Sequence, residues 1–316
     1  MRRALVTGAA GFVGSHLGEA LVARGDSVVG VDCFTPYYDR TVKDVNASTL
    51  RSSGVELVEA DLRTADVAAL LDGIDVVYHQ AGQPGVRPSW SSGFGEYVEH
   101  NVFVTQRLLE AARDRGVRRF VYASSSSVYG NQARYPTRES DLPAPYSPYG
   151  VTKLAAEHLC SLYAANWGLS TVSLRYFTVF GPRQRPDMAI HRLCEAALGR
   201  GRFSRFGDGS VVREFTYVDD IVAANLAAAD ADVAPGTYLN VAGGSEIVLR
   251  DLIALVGDIA GVAVAIDEQP PMPGDSPRNG GAIDRAQALL GWSPQVPLRD
   301  GIAAQLAWHR AQEVRR

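Results

Sequence analysis

The first apolar run of the chain, Ala4–Val6, leads into Thr7-Gly8-Ala9-Ala10-Gly11-Phe12-Val13-Gly14, and no other segment restricts the fold as much. Gly8 permits a tight strand-to-helix turn. Gly11, lacking Cβ, lets backbone approach a pyrophosphate, and Gly14 lets the helix pack closely on the strand. The N–H groups that open the helix have no intrahelical acceptor and suit a phosphate. The spacing is Gly-x-x-Gly-x-x-Gly, not the usual Gly-x-Gly-x-x-Gly. A glycine triplet alone also fits a plain turn, so the weight comes from Asp32, which follows the second run, Ser27–Val31. A carboxylate there accepts the ribose hydroxyls of an adenosine and repels a 2′-phosphate, which favours NAD over NADP. Asp61-Leu62 follows the third run, where an adenine edge would lie.

Six short apolar runs (Ala4–Val6, Ser27–Val31, Val55–Val58, Asp75–Tyr78, Arg119–Ala123 and Thr171–Tyr176) alternate with segments of helical period. The helical segments are Phe12–Arg24, Thr64–Leu71, a long one ending near Arg113, and Pro148–Trp167. This alternation predicts an α/β protein, a Rossmann-type doubly wound parallel sheet, with a smaller C-terminal substrate lobe. Residues 1–177 are expected to form the dinucleotide domain, with 210–240 returning to it. Residues 178–209 and 241–316 are expected to form the lobe. There Gly and Pro increase, as in Gly181-Pro182 and Pro270-Pro271-Met272-Pro273-Gly274, and helices are expected near Asp187–Leu198, Asp219–Ala229, Arg250–Ala260 and Leu298–Trp308.

A net charge of −4 on 316 residues carries no basic excess, which argues against nucleic acid or an anionic membrane as partner. No run of 18 apolar residues predicts a membrane span. The short N-terminal apolar run is broken by Thr7, Ser15, His16 and Glu19 and reads as a strand, not a secretory leader. Cys33, Cys160 and Cys194 are scattered and form no CxxC, so neither a disulfide framework nor a zinc site is expected, and a reducing cytoplasm suits the chain. Asp219-Asp220 reads as a helix N-cap, and no metal is expected.

Tyr149 and Lys153, four apart, share one helix face. An ammonium beside a phenol favours the phenolate and lowers the tyrosine pKa, so that Tyr149 can take a hydroxyl proton while hydride leaves the same carbon. Tyr-x-x-x-Lys is common on ordinary helix surfaces, but here it follows the glycine turn and Asp32 in order. On these residues the chain resembles the extended short-chain dehydrogenase/reductases, in their nucleotide-sugar epimerase/dehydratase branch. The resemblance runs from Thr7-Gly8 to Leu289-Leu290-Gly291-Trp292. It implies bound NAD, a UDP-sugar substrate and a homodimer, in which the Tyr149 helix and the preceding long helix build a four-helix bundle. It further implies Ala81 and Tyr176 at the cofactor, and Ser125 in Ser124-Ser125-Ser126-Ser127 as proton-sharing partner of Tyr149. Where related dehydratases carry Asp-Glu after that position, this chain has Ser126 and Ser127, which disfavours water elimination; the decarboxylase reading loses support for the lack of the same glutamate.

Asp32-Cys33-Phe34-Thr35-Pro36-Tyr37-Tyr38-Asp39 and Phe177-Thr178-Val179-Phe180-Gly181-Pro182-Arg183-Gln184-Arg185 most resemble UDP-glucuronic acid 4-epimerases, with Cys33 where asparagine is usual. Arg185 is a fit partner for a glucuronyl carboxylate, since a guanidinium makes two charge-assisted bonds to it. Thr178 and Ser127 add hydroxyls. By resemblance, Arg213 and Arg278 contact pyrophosphate, Arg87 and Arg192 face the sugar nucleotide, and Phe206 lines the uracil, with Gln83 and Asn101 as weaker candidates. The other readings are a UDP-glucose/galactose 4-epimerase, and a dinucleotide sensor without catalysis.

Overall fold

The computed structural model describes residues 1–270 and 277–313, so the stretch from Pro271 to Gly274 lies outside the described residues. Seven parallel strands form the central sheet, in the order Glu56–Glu59, Ser27–Asp32, Arg3–Thr7, Val76–His79, Arg119–Ser125, Thr171–Tyr176, Thr237–Val241. The order reverses between Arg3–Thr7 and Val76–His79, which opens a crevice beyond the carboxyl ends of the strands.

Alternate residues enter two cores. Leu5, Val29, Val31, Val77, Phe120 and Tyr122 pack under the helices Val104–Asp114 and Pro148–Trp167. Ala4, Val6, Val28, Val76, Tyr78, Val121, Val172 and Leu174 pack under Phe12–Ala23 and Val218–Asp230. Burial on both faces is why five of the first six strands read as near-continuous apolar runs, whereas Glu56–Glu59, at one sheet edge, leaves both glutamates exposed. The seventh, Thr237–Val241, did not read so. It lies at the sheet edge, and Asn240 is buried for hydrogen bonding, not for packing.

The Tyr149 helix spans Pro148–Trp167, as its pattern predicts. The Ser147 side chain accepts from the Gly150 N–H at 3.1 Å, Pro148 occupies the first turn, and Gly168 ends the helix at φ 67°. Other expectations need correction. Thr64–Leu71 contributes only one helical turn, Val67–Leu70, capped by Asp66. The long segment ending near Arg113 is not one regular helix, because a π-helical stretch, Val98–Phe103, interrupts it. The helix Arg40–Ser53 was missed, since its polar composition hides a narrow buried face of Lys43, Asn46, Ala47 and Leu50. Asp219 and Asp220 are not the N-cap. That position is Tyr217, and both aspartates lie in the first turn, where acidic groups favour the helix dipole. Asp220 instead accepts backbone N–H bonds from Gln295 (2.8 Å) and Val296 (3.1 Å).

After Tyr176 come three two-stranded pairings, Val179–Phe180 with Thr216–Tyr217, Val212–Glu214 with Glu246–Val248, and Phe203–Phe206 with Ile266–Gln269. The helices Ala189–Ala197, Leu249–Ala260 and Leu298–Glu313 pack on one another beside them. Buried Trp292 donates from Nε1 to the Asp220 carbonyl at 2.9 Å and ties this region to the helix Val218–Asp230. Among the described residues, no helix is long and apolar enough to cross a membrane.

Candidate active site

A cleft of about 550 Å³ lies at the crevice. Its cofactor end is lined by Gly8, Gly11, Phe12, Val13, Gly14, Asp32, Asp61, Leu62, Ala81 and Tyr176, as expected from the sequence. Gly8 sits at φ 65°, and a Cβ on Gly14 would overlap the Gly8 carbonyl oxygen. Gly14 therefore closes the helix onto the turn itself and not onto the strand behind it. The first helix starts at Gly11 without any side-chain cap, so its leading N–H groups face the cleft unclaimed by a capping side chain. The turn is braced from below. Thr7 Oγ1 accepts from the Ala81 N–H at 3.1 Å and meets Nδ1 of fully buried His79 at 2.7 Å, while His79 Nε2 reaches Thr105. Burial drives the His79 pKa down to about 3, so the ring is a neutral strut.

Asp32 is held from three sides: its carboxylate accepts from the N–H of Ala10 (3.1 Å) and of Phe34 (2.8 Å) and pairs with Lys43 at 3.1 Å. Lys43 was missed. It lies eleven residues on, in the unanticipated helix, and also faces the rings of Tyr38 and Phe34. A cradle emptied of Cβ atoms, uncapped helix N–H groups and a rigidly aimed carboxylate fit the phosphates and ribose of a dinucleotide.

Tyr149, Ser125 and Lys153 meet in the middle of the cleft. The Ser125 hydroxyl bonds to the phenol and favours its ionised form, and so does the charge of Arg185, but desolvation is larger and leaves the Tyr149 pKa above its ordinary value. The expected lowering by Lys153 is therefore not seen. The Lys153 ammonium donates to the Ala123 carbonyl at 2.7 Å and lies over the Tyr122 ring, and burial lowers its own pKa to about 8. A cationic nicotinamide ring beside the phenol would supply the missing charge.

At the sugar end, half-buried Arg185 makes a fork to Asp187, Nε to Oδ1 and Nη2 to Oδ2, both at 3.0 Å. Tyr37, from the loop after the second strand, donates to the same Asp187 carboxylate at 3.3 Å and lies under the Arg185 guanidinium. The Nε edge is thus taken, and the Nη1–Nη2 edge is the fork left for a ligand carboxylate. Thr178, Ser127 and Arg213 also line the cleft, and Thr178 Oγ1 accepts from Asn279 at 3.4 Å. Asn279 and Lys43 had no motif to betray them, since only tertiary folding brings them to the site; Tyr37 lay within the Asp32–Asp39 segment but was not singled out there.

Five expected contacts lie outside this lining. Arg87 stacks on Phe206 at 4.5 Å, which pairs two of them with each other at the rim. Arg192 donates to Ser204, and Arg278 pairs with Glu246 and covers Tyr135. Asn101, in the π-helical stretch, bridges the Gln83 backbone and Thr152 Oγ1. Ser126 and Ser127 form a short turn in which the Ser127 N–H donates to Ser125 Oγ at 3.1 Å. The only carboxylates in the lining, among the described residues, are Asp32, Asp61 and Asp187.

Comparison with known proteins agrees with this geometry. A family model described as NAD dependent epimerase/dehydratase family matches residues 4–242. A solved UDP-glucuronic acid 4-epimerase from Bacillus cereus, in complex with UDP-glucuronic acid and NAD, is 41% identical, with TM-score 0.94 over 98% of this chain and 99% of that one. A protein of Bacillus subtilis described as an uncharacterized UDP-glucose epimerase is 40% identical over 96% of both chains. A probable UDP-glucuronate 4-epimerase of Rhizobium meliloti is 33% identical over 97% of this chain and 96% of its own.

Proposed function

The chain belongs to the NAD dependent epimerase/dehydratase family, and from that premise we propose that it interconverts UDP-glucuronic acid and UDP-galacturonic acid by epimerisation at C4. The observation that carries this reading is the shared cleft of Tyr149 and Arg185, close enough for the guanidinium charge to act on the phenol. A sugar with C4 at a phenol and a carboxylate on C6 needs both groups that near.

NAD, when bound, would supply reversible hydride transfer at C4. The protein handles the proton. Tyr149, ionised beside the oxidised nicotinamide, accepts the O4 proton and later gives it back, with Ser125 sharing the hydrogen bond. Lys153, buried in the cleft lining, would hold the nicotinamide ribose. Asp32 and Lys43 would hold the adenosine ribose, and the Gly8–Gly14 turn would hold the pyrophosphate. Arg185 grips the sugar carboxylate. The 4-keto sugar is a β-keto acid, which loses carbon dioxide when its carboxylate bond aligns with the carbonyl π system; a bidentate clamp keeps that bond out of alignment. Water elimination lacks a catalyst here, since Ser126 and Ser127 are poor acids and Asp187 is committed to Arg185 and Tyr37.

The relative described as a UDP-glucose epimerase favours a second reading, 4-epimerisation of the neutral sugar. Proton NMR of the enzyme with each UDP-sugar separates them. UDP-galacturonic acid is expected from UDP-glucuronic acid; exclusive formation of a UDP-pentose, or turnover of UDP-glucose alone, rejects the proposal.

We further propose a homodimer. Trp90, Phe94, Val98 and Phe103 on the segment before Val104, with Val151, Leu162 and Trp167 on the Tyr149 helix, are exposed apolar side chains along adjoining helices, as a four-helix bundle requires. Sedimentation should give twice the chain mass, and Val151→Lys should shift it to monomer. The free cysteines suit a cytoplasmic setting.

A further inference from the structure

Behind the cleft lining, one buried carboxylate holds two loops together. Glu214 ends the strand Val212–Glu214 and is 2% exposed. It accepts from the Gly244 N–H at 2.6 Å through Oε1 and from the Gly281 N–H at 2.7 Å through Oε2. Gly244 lies in the turn between the strands Thr237–Val241 and Glu246–Val248, and Gly281 lies two residues after Asn279. Asn279 is tied to the same strand. Its Oδ1 accepts from the Glu214 N–H at 2.9 Å, and its own N–H donates to the Val212 carbonyl at 3.2 Å. A Cβ on Gly281 would overlap the Phe177 ring, and one on Gly280 would overlap the Glu246 carboxylate, so this segment is closely seated.

Arg213 and Asn279 line the cleft, and Glu214 does not. Successive strand residues point to opposite faces, so Arg213 faces a ligand while Glu214 faces the loops behind it. The cations of the lining, among the described residues, are Lys43, Lys153, Arg185 and Arg213. In the function proposed above, Lys43 and Lys153 serve the cofactor and Arg185 the sugar carboxylate, which assigns Arg213 to the pyrophosphate of the substrate.

We propose that Glu214 is a positioning residue for the UDP end of the cleft: as a carboxylate it seats the Asn279 segment beside Arg213 in the form that binds UDP-sugar, and protonation loosens that seat. The inference rests on the substrate being a UDP-sugar, whichever sugar it carries. An ionised carboxylate only accepts, which is what two inward-pointing N–H groups require. A protonated carboxyl brings an O–H of its own and competes with one of them. The charged groups around Glu214 are Glu246, directly opposite it in the strand pair, Arg278, which reaches Glu246 from the Asn279 segment, and Arg213, which turns to the cleft. Burial, with the Glu246 charge adding to it, pushes the Glu214 carboxyl up to about 7 against the pull of the two N–H bonds. Affinity for UDP-sugar therefore falls as pH drops through the neutral range.

The holoenzyme is titrated with UDP-glucose and with UDP-glucuronic acid by isothermal calorimetry from pH 8 to pH 6, a range in which neither pyrophosphate diester titrates. Affinity for both ligands is expected to fall about 3- to 10-fold across it, the worth of one buried hydrogen bond. In Glu214→Gln, affinity should stay at the acid-side value throughout, with NAD content unchanged. In Glu246→Gln, which removes the opposing charge, the midpoint should move to lower pH. Circular dichroism checks that Glu214→Gln folds; where it does not, the Glu246→Gln midpoint decides. A pH-independent affinity in the unaltered protein, the same pH dependence in folded Glu214→Gln, or an unshifted midpoint in Glu246→Gln overturns the proposal. Lack of UDP-glucuronic acid turnover with the pH effect intact for UDP-glucose would reject the choice of sugar and support the role of Glu214.

Discussion

The two ends of the cleft are built from different materials. The cofactor end is mostly backbone: a glycine turn, uncapped helix N–H groups, and a carboxylate pinned by two further N–H groups. The sugar end is mostly side chain: Arg185, Asp187 and Tyr37, from loops that are about 150 residues apart in sequence. Backbone geometry follows from local sequence and changes little when a side chain is altered. A side-chain lattice has no such protection, and it is also where substrate choice can be retuned.

The contrast can be tested by substitution, beginning where the two ends meet. Tyr149→Phe should cut kcat by about 10²–10⁴-fold while NAD and UDP-sugar binding persist; rapid-quench turnover beside isothermal titration checks both. Arg185→Ala should lower kcat/KM for UDP-glucuronic acid by roughly 10- to 100-fold, the worth of charge-assisted hydrogen bonds, with NAD content unchanged. If NAD is lost as well, the two ends are not separable. Gly14→Ala should do the reverse and strip NAD, because its Cβ overlaps the Gly8 carbonyl oxygen; a stability loss of about 1–3 kcal/mol should show in urea unfolding. Lys43→Met should weaken NAD by roughly fivefold, about 1 kcal/mol.

The last effect concerns pH. Folded His79 resists protonation down to about 3 and His309 down to about 4, whereas both titrate near 6.5 when unfolded. Between those values the unfolded state binds more protons, so stability falls as pH drops below about 6.5. His79→Gln should reduce that slope by about one proton, roughly 1.4 kcal/mol per pH unit. An unchanged slope would show that His79 already charges in the fold.

Reading the sequence succeeded wherever one local pattern sufficed. The six apolar runs, the Pro148–Trp167 helix with its Ser147 cap and Gly168 stop, and the glycine turn were all visible in it. Arg40–Ser53 escaped because most of its face is polar, and Lys43 escaped with it. The Asp219-Asp220 pair misled because its second carboxylate caps a distant loop and not its own helix. Arg278 and Arg192 were carried over by resemblance alone, and their guanidiniums reach Glu246 and Ser204. The Glu195–His309 hydrogen bond lies beyond any spacing rule, since the two residues are 114 apart in sequence.

By itself, then, the sequence determined the parallel sheet, the dinucleotide turn and the Tyr–Lys pair, since each depends on a repeat or spacing shorter than one helix. The tertiary structure alone decided which ionisable groups meet and how far burial moves them. It set desolvation against charge at Tyr149, locked Lys43 onto Asp32, and brought His309 against His191. Electrostatic energies depend on distance and on excluded water, and neither quantity exists along a chain until it has folded.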